Sequence, residues 1–189
     1  IAKGFSFIVK LPTMDMSLAL ALNHFSAHIK GVLPLFSDWM VYIILLAGIG
    51  WVVGHHMGRV KLMALDFIYT LAAPIGAAVV ISESLSKLID RARPFVASKE
   101  ITLLIPHDAD GGFPSHHTTV MIAIAVALWF RNHNFGRLLF TLAILSGIAR
   151  VGAGIHYPTD ILAGIVIGAV TSWLIHKLTK EQRLRALRT

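Results

Sequence analysis

The chain has no cysteine at all, which removes disulfides and thiolate chemistry from consideration. It is also poor in charge. Asp, Glu, Lys and Arg together make up 14% of its 189 residues, against about a quarter in an ordinary soluble domain. Acidic residues number only 10, against 17 Lys and Arg. No internal repeat is visible, and no charged-then-apolar segment with a small-residue cleavage site. Residues 1–13 carry no weight in the reading of the fold. What fills the chain instead is hydrophobic side chains, 56% of the total. The length fits one domain. The net charge of +7 could suggest nucleic acid, but the basic residues stand beside apolar runs. That pattern fits an integral membrane protein and argues against a nucleic-acid partner.

Residues 16–33 place Leu18, Leu22, Phe25, Ile29 and Val32 on one helical face, with Asn23, His24, Ser26 and Lys30 elsewhere. This spacing predicts an amphipathic helix lying in the membrane interface. A sixth span from Leu18 to Phe36 is the competing reading, and Pro34 breaks the pattern in either case. Apolar runs at 39–54, 66–88, 115–130, 136–153 and about 158–178 predict five spans, the second kinked at Pro74. Gly164 and Gly168 form a small-xxx-small pair suited to helix packing. The expected fold is all-α: a polytopic membrane helix bundle with five or six transmembrane helices and an N-terminal amphipathic interfacial helix. Residues 1–36 are assigned to the N-terminal segment, 37–180 to the membrane domain and 181–189 to a basic cytoplasmic tail.

Orientation is read from Lys and Arg. Arg59, Lys61, Arg131, Arg137, Lys177, Lys180, Arg183, Arg185 and Arg188 gather at one end of the spans, which is expected to be cytoplasmic. His55 and His56 read as part of a solvated loop at that end. The other end holds three polar clusters: K-L-I-D-R-A-R-P from Lys87, F-P-S-H-H-T-T from Phe113, and R-V-G-A-G-I-H-Y-P-T-D from Arg150. Ionisable residues at the ends of spans are costly unless they serve a site.

In the third cluster Pro158 suits the first turn of a helix, so His156 falls just before the last span and Asp160 in its first turn. The spacing of four lets Asp160 bond one imidazole nitrogen, fixing the tautomer and freeing the other nitrogen as a nucleophile. Arg150, across a Gly152/Gly154 turn, offers a planar fork for phosphate oxygens. In the second cluster Ser115 is a natural N-cap, and the helix start behind it suits an anion. One of His116 and His117 can face that anion and protonate a leaving oxygen. In the first cluster Lys87 and Arg91, four apart, are expected to share a helix face, while Pro94 biases Arg93 toward an extended backbone. One histidine near a helix end is more often structural than catalytic, and arginines at a membrane edge are usually anchors. Three clusters converging on one face are better explained by a phosphate pocket. Histidines and a carboxylate could instead suggest Zn²⁺, but at least three cations in one pocket oppose a metal.

These clusters resemble the three-part signature of the type-2 phosphatidic acid phosphatase superfamily. That signature is Lys, six residues, Arg-Pro; then Pro-Ser-Gly-His; then Ser-Arg, five residues, His, three residues, Asp. The resemblance covers roughly residues 80–165, and Arg93, Ser115, His117, Arg150, His156 and Asp160 match by position. Three residues depart: Lys87 stands one residue nearer to Arg-Pro, His116 replaces Gly, and Ala149 replaces Ser. The R-x-R-P-F and P-S-x-H-T-T segments are similar to the bacterial undecaprenyl-diphosphatase branch. The resemblance implies a metal-independent membrane phosphatase, without cofactor, acting on a lipid diphosphate through a phosphohistidine. It implies His156 as nucleophile, Asp160 as the support of His156, and His117 as acid and base. Lys87, Arg91, Arg93, Ser115, His116 and Arg150 are the phosphate-binding set. The expected partners are the lipid substrate and membrane lipids. The expected location is the bacterial cytoplasmic membrane, with the pocket on its outer face. A lipid monophosphate phosphatase and a lipid-phosphate transporter that kept the fold are the alternatives.

Overall fold

The computed structural model describes residues 13–55 and 60–186. The expectations for residues 1–12, for His56 and Arg59, and for Arg188 fall outside the described residues. Every regular element among the described residues is helical. Helix α1 spans Thr13–Ala27. A π turn, Leu35–Trp39, leads into α2, Met40–His55. Helix α3, Val60–Phe67, continues through a second π turn, Ile68–Ala72, into α4, Ala73–Ile89. The short α5, Pro94–Ala97, opens a long loop to α6, His116–Trp129. Helices α7, His133–Gly152, and α8, Pro158–Ala186, complete the described residues. The assigned boundary at residue 180 thus lies inside α8.

The kink expected at Pro74 takes the form of the π turn. Pro74 has no N–H for the carbonyl of Thr70, four residues earlier, and Thr70 lies within the widened turn. Among the described residues, four stretches are long and apolar enough to cross a membrane: Leu35–His55, Met63–Ala97, His133–Gly152 and Pro158–Gln182. The α6 helix is equally apolar but has only 14 residues, about 21 Å at 1.5 Å per residue. It is the hub of the bundle. Met121, Ile122, Ile124, Ala125 and Leu128 are all fully buried, so α6 is wrapped by the other helices and is hydrophobic on every side. Leu46, Val80, Leu162 and Val166 instead point outward, as expected where the solvent is lipid.

Gly164 and Gly168 set how closely α8 approaches that hub. A Cβ at Gly168 would fall 2.4 Å from the Thr119 carbonyl oxygen, and one at Gly164 would fall 3.0 Å from that of Ser115. The packing role read from their spacing holds. Between α7 and α8, Gly154 has φ +82°, and a side chain there would also strike Ile101 and Thr102.

Helix α1 is amphipathic in an inverted sense. Met14, Leu18 and Phe25 are exposed, while Asp15, Ala19, Asn23 and Ser26 are buried. Its 15 residues reach about 22 Å, short of the roughly 30 Å needed to span. The polar stripe faces protein. The Asn23 amide donates to the carbonyls of Thr102 and Gly152, each at 2.8 Å, and its oxygen accepts from Thr102 N–H at 2.9 Å. The helix is thereby fastened to the α5–α6 loop and to the end of α7, on the side where the three clusters lie.

Candidate active site

Helix α4 stops at Ile89 because Asp90 takes a left-handed backbone, φ 43°. The chain then runs extended through Arg93 (φ −67°, ψ 155°) into α5, as its position before Pro94 predicts. This turn separates two residues expected on one face. Lys87 stays on the helix, its side chain 81% exposed and 4.0 Å from Glu83. Arg91 swings inward and pairs with Asp160 of α8 and, at 2.7 Å, with Asp15 of α1. Its guanidinium lies 3.9 Å over the Tyr157 ring. Arg91 is therefore committed to carboxylates, and Lys87 is turned away.

Arg93 and His156 do meet. The Arg93 side chain is 3% exposed, with Nη1 3.2 Å from the Ile155 carbonyl and 3.5 Å from His156 Nε2. On its other edge it pairs with Asp110 at 2.7 Å. Partial burial opposes ionisation of Asp110, but the hydrogen bond and charge of Arg93 outweigh it and hold the carboxyl below its ordinary range. The His156 ring is fixed by a bond of 2.9 Å between Nδ1 and the Gly112 carbonyl. A carbonyl only accepts, so Nδ1 carries the proton and Nε2 keeps its lone pair toward Arg93. Burial, then the charges of Arg150 and Arg93, push His156 well below the usual histidine range, so the ring is neutral.

The expected bond between Asp160 and that imidazole is replaced. Asp160 Oδ2 lies 3.7 Å from His156 Nδ1 and instead accepts the Tyr157 N–H at 2.7 Å. Its other oxygen is taken by Arg91. The spacing of four was correct, but the carboxylate closes the turn before α8 rather than touching the ring. Its charge is close to His156, and its hydrogen bonds go elsewhere.

Arg150, 1% exposed at the end of α7, is held from two sides. Nη1 donates to the Ser37 carbonyl at 2.9 Å and lies 3.4 Å from Asp38 Oδ1. Nη2 is 3.3 Å from His107 Nε2. His107 lies 3.1 Å, through Nδ1, from the Asp108 carbonyl, so Nε2 is its acceptor. Burial, then the charges of Arg93 and Arg150, lower the His107 pKa and keep it neutral. The Arg150 Nε is buried with no partner, an N–H that an anion would satisfy.

Ser115 caps α6, its oxygen accepting from Thr118 N–H at 3.5 Å and Thr118 Oγ1 at 3.1 Å. Both use Ser115 as acceptor and leave its own hydroxyl proton. Its backbone N–H donates to the Asp160 carbonyl at 3.1 Å, tying the second cluster to the third. His116 turns to α4, with Nδ1 2.8 Å from Ser82 Oγ and Nε2 3.8 Å from Glu83. His117 has no hydrogen-bond partner among the described residues. The guanidinium groups of Arg150 and Arg93 bear on it electrostatically. Arg93, Arg150, His117, His156 and Ser115 thus converge, while Lys87, Arg91 and His116 are engaged outside that group.

The PAP2 superfamily profile matches residues 64–184. The chain belongs to the PAP2 superfamily. An undecaprenyl-diphosphatase of Bacillus subtilis, BcrC, is 31% identical over 160 residues, covering 84% of this chain and 79% of that protein. A lipid A 1-phosphatase of Rhizobium johnstonii is 30% identical over 160 residues, covering 78% of this chain and 65% of that one. The crystal structure of Aquifex aeolicus LpxE superposes with a TM-score of 0.67 at 21% identity, covering 89% of this chain and 98% of that one.

Within the PAP2 signature the position of the lysine is held here by Ser86, whose hydroxyl donates to the Gly111 carbonyl at 3.2 Å. Sequence reasoning missed Asp15, Asp38, His107 and the Gly112 carbonyl. Asp15, Ala19, Asn23 and Ser26 do recur at helical spacing. That second stripe was the signal that α1 has a protein-facing side. His107 and Asp110 sit in a stretch readable only as turn chemistry.

Proposed function

We propose that this membrane lipid phosphatase of the PAP2 superfamily hydrolyses undecaprenyl diphosphate to undecaprenyl phosphate and inorganic phosphate. One observation carries the reading: a neutral His156, its Nδ1 proton given to Gly112, turns its free Nε2 toward the Arg93 guanidinium. His156 Nε2 attacks the terminal phosphorus, and the P–N bond forms as the bond to the bridging oxygen breaks. Arg93, Arg150, Ser115 and the first N–H groups of α6 carry the developing charge on the phosphoryl oxygens. His117 protonates the departing lipid phosphate. Water then attacks the phosphohistidine, His117 accepts its proton, and inorganic phosphate leaves with His156 neutral again. Recycling of a carrier lipid for cell-wall synthesis is the role this reaction would serve.

The relative named for lipid A favours a second reading, a phosphatase of lipid monophosphates. Leaving-group chemistry separates the two. A diphosphate expels a phosphate monoester, a much weaker base than an alkoxide, and needs less help from an acid. His117→Ala is expected to slow lipid monophosphate hydrolysis by about 10²-fold or more, the usual range for acid catalysis, and diphosphate hydrolysis by clearly less. The wild-type kcat/KM should be higher for undecaprenyl diphosphate than for phosphatidic acid. Both substrates are assayed against both proteins in one detergent with EDTA present. A wild-type preference for phosphatidic acid would replace the diphosphatase reading with the monophosphatase one.

The pocket is proposed to face outward across a bacterial cytoplasmic membrane. Arg131, Arg137, Lys177 and Lys180 lie at the far ends of the helices from the site, and basic ends stay cytoplasmic. With no native cysteine, single cysteines report directly. One at Asp110 should react with an impermeant maleimide in spheroplasts, and one at Lys180 only after lysis. The reverse pattern would invert the orientation.

A further inference from the structure

Two buried carboxylates share one arginine beside the nucleophile, and one of them comes from the interfacial helix. Asp15 of α1 is 4% exposed. Its Oδ1 accepts the Thr159 N–H at 3.1 Å, and its Oδ2 accepts the Thr159 hydroxyl at 2.6 Å and Arg91 Nη2 at 2.7 Å. The other Arg91 amino group reaches Thr159 Oγ1 at 2.8 Å and Asp160 Oδ1. Asp160 in turn closes the turn that carries His156. On the phosphate side, Arg93 and Arg150 are matched by Asp110 and Asp38. On the α8 side, two carboxylates face one guanidinium.

We propose that Asp15 is a positioning residue for the reaction, because it supplies the second carboxylate that leaves the Arg91 cluster one net negative charge beside His156. This rests on His156 being the nucleophile. Without Asp15, Arg91 and Asp160 cancel, and nothing on that side of the ring offsets the positive charge that grows on the imidazole as the P–N bond forms. In a buried cluster a charge acts over several ångströms with little screening. Asp15 touches no phosphate ligand, so substrate binding is not its concern. The charge is delivered only while α1 stays seated, with Asn23 and Ser26 docked and Met14, Leu18 and Phe25 outward.

The test is steady-state kinetics on undecaprenyl diphosphate with purified full-length protein, alongside inorganic phosphate as a competitive inhibitor. Asp15→Asn keeps the shape and one of the two acceptor oxygens, replaces the other with a donor, and removes the charge. It should lower kcat by about 10-fold, an order-of-magnitude expectation for one uncompensated charge at this remove. KM and the phosphate Ki should stay within about twofold, since Arg93 and Arg150 are untouched. Asp15→Glu, which restores the charge, should recover most of kcat. A wild-type kcat in Asp15→Asn overturns the proposal, as does a loss expressed wholly in KM. If Asp15→Asn unfolds, the folded glutamate variant decides: near-normal kcat supports the charge role, and a tenfold loss there refutes it. His156→Ala is run in parallel. Its retaining activity would defeat the nucleophile assignment itself, whereas an inactive His156→Ala beside a normal Asp15→Asn defeats only this inference.

Discussion

His156→Ala is expected to abolish turnover, a loss of at least about 10³-fold, the scale seen when a covalent nucleophile is deleted. Nothing nearby can substitute. His117 belongs to α6 and has to stay free for proton transfer, and His116 is bonded to Ser82. His107 is engaged with Arg150. Arg93 and Arg150, the proposed phosphate ligands, remain in place, so the variant should still bind inorganic phosphate. Its fold should survive, because the substitution leaves one buried acceptor, the Gly112 carbonyl, without its partner. That costs about 1–3 kcal/mol. The checks are phosphate release, phosphate binding and a monodisperse elution profile in detergent. Rapid acid-free quenching of the wild-type reaction should also trap phosphate on His156. Substantial turnover in a folded His156→Ala protein would mean that water attacks the lipid phosphate directly.

Much of the bundle was legible because its determinants are local. Apolar runs, the Pro74 distortion, the N-cap at Ser115 and the extended Arg93 before Pro94 each follow from a few adjacent residues. The small pair Gly164 and Gly168 marked the packing face of α8 for the same reason. What the sequence hid is long-range pairing. Lys87 and Arg91 look equivalent until the left-handed Asp90 ends the helix between them, and Arg91 then finds carboxylates 69 and 76 residues away. The spacing in α1 showed an apolar and a polar side but not what the polar side meets; Asp15, Asn23 and Ser26 turn toward protein, because in a membrane protein polar groups can pair inside and leave the apolar face to lipid. The bond expected between Asp160 and His156 failed through competition. A nearby backbone N–H and a guanidinium outbid the imidazole, and a loop carbonyl, from a residue type with no side chain to read, took the ring instead.

That substitution of partners changes what Asp160→Asn should do. In the serine-protease triad, the same carboxylate-to-amide change costs about 10⁴-fold, largely because the histidine is left in the wrong tautomer. Here the tautomer is held by Gly112, at 2.9 Å from Nδ1, and an amide at position 160 leaves that bond alone. The Asn oxygen can still accept the Tyr157 N–H, so the turn before α8 keeps its shape. What disappears is the negative charge 3.7 Å from the ring, and with it the compensation of a developing imidazolium or phosphoimidazolium. The expected loss is therefore smaller than in the protease but still about 10²-fold in kcat, with KM little changed. It should exceed the loss in Asp15→Asn, because Asp160 is the nearer of the two carboxylates. The double variant should lose at least the product of the two single losses, since it strips Arg91 of both carboxylates and leaves a net positive charge beside the ring. Measuring kcat for the two single variants and the double variant tests all of this in one cycle. Near-normal turnover in Asp160→Asn would reduce that carboxylate to a turn-closing residue. A double variant that loses no more than Asp160→Asn alone would mean that Asp15 adds nothing to the charge felt at His156.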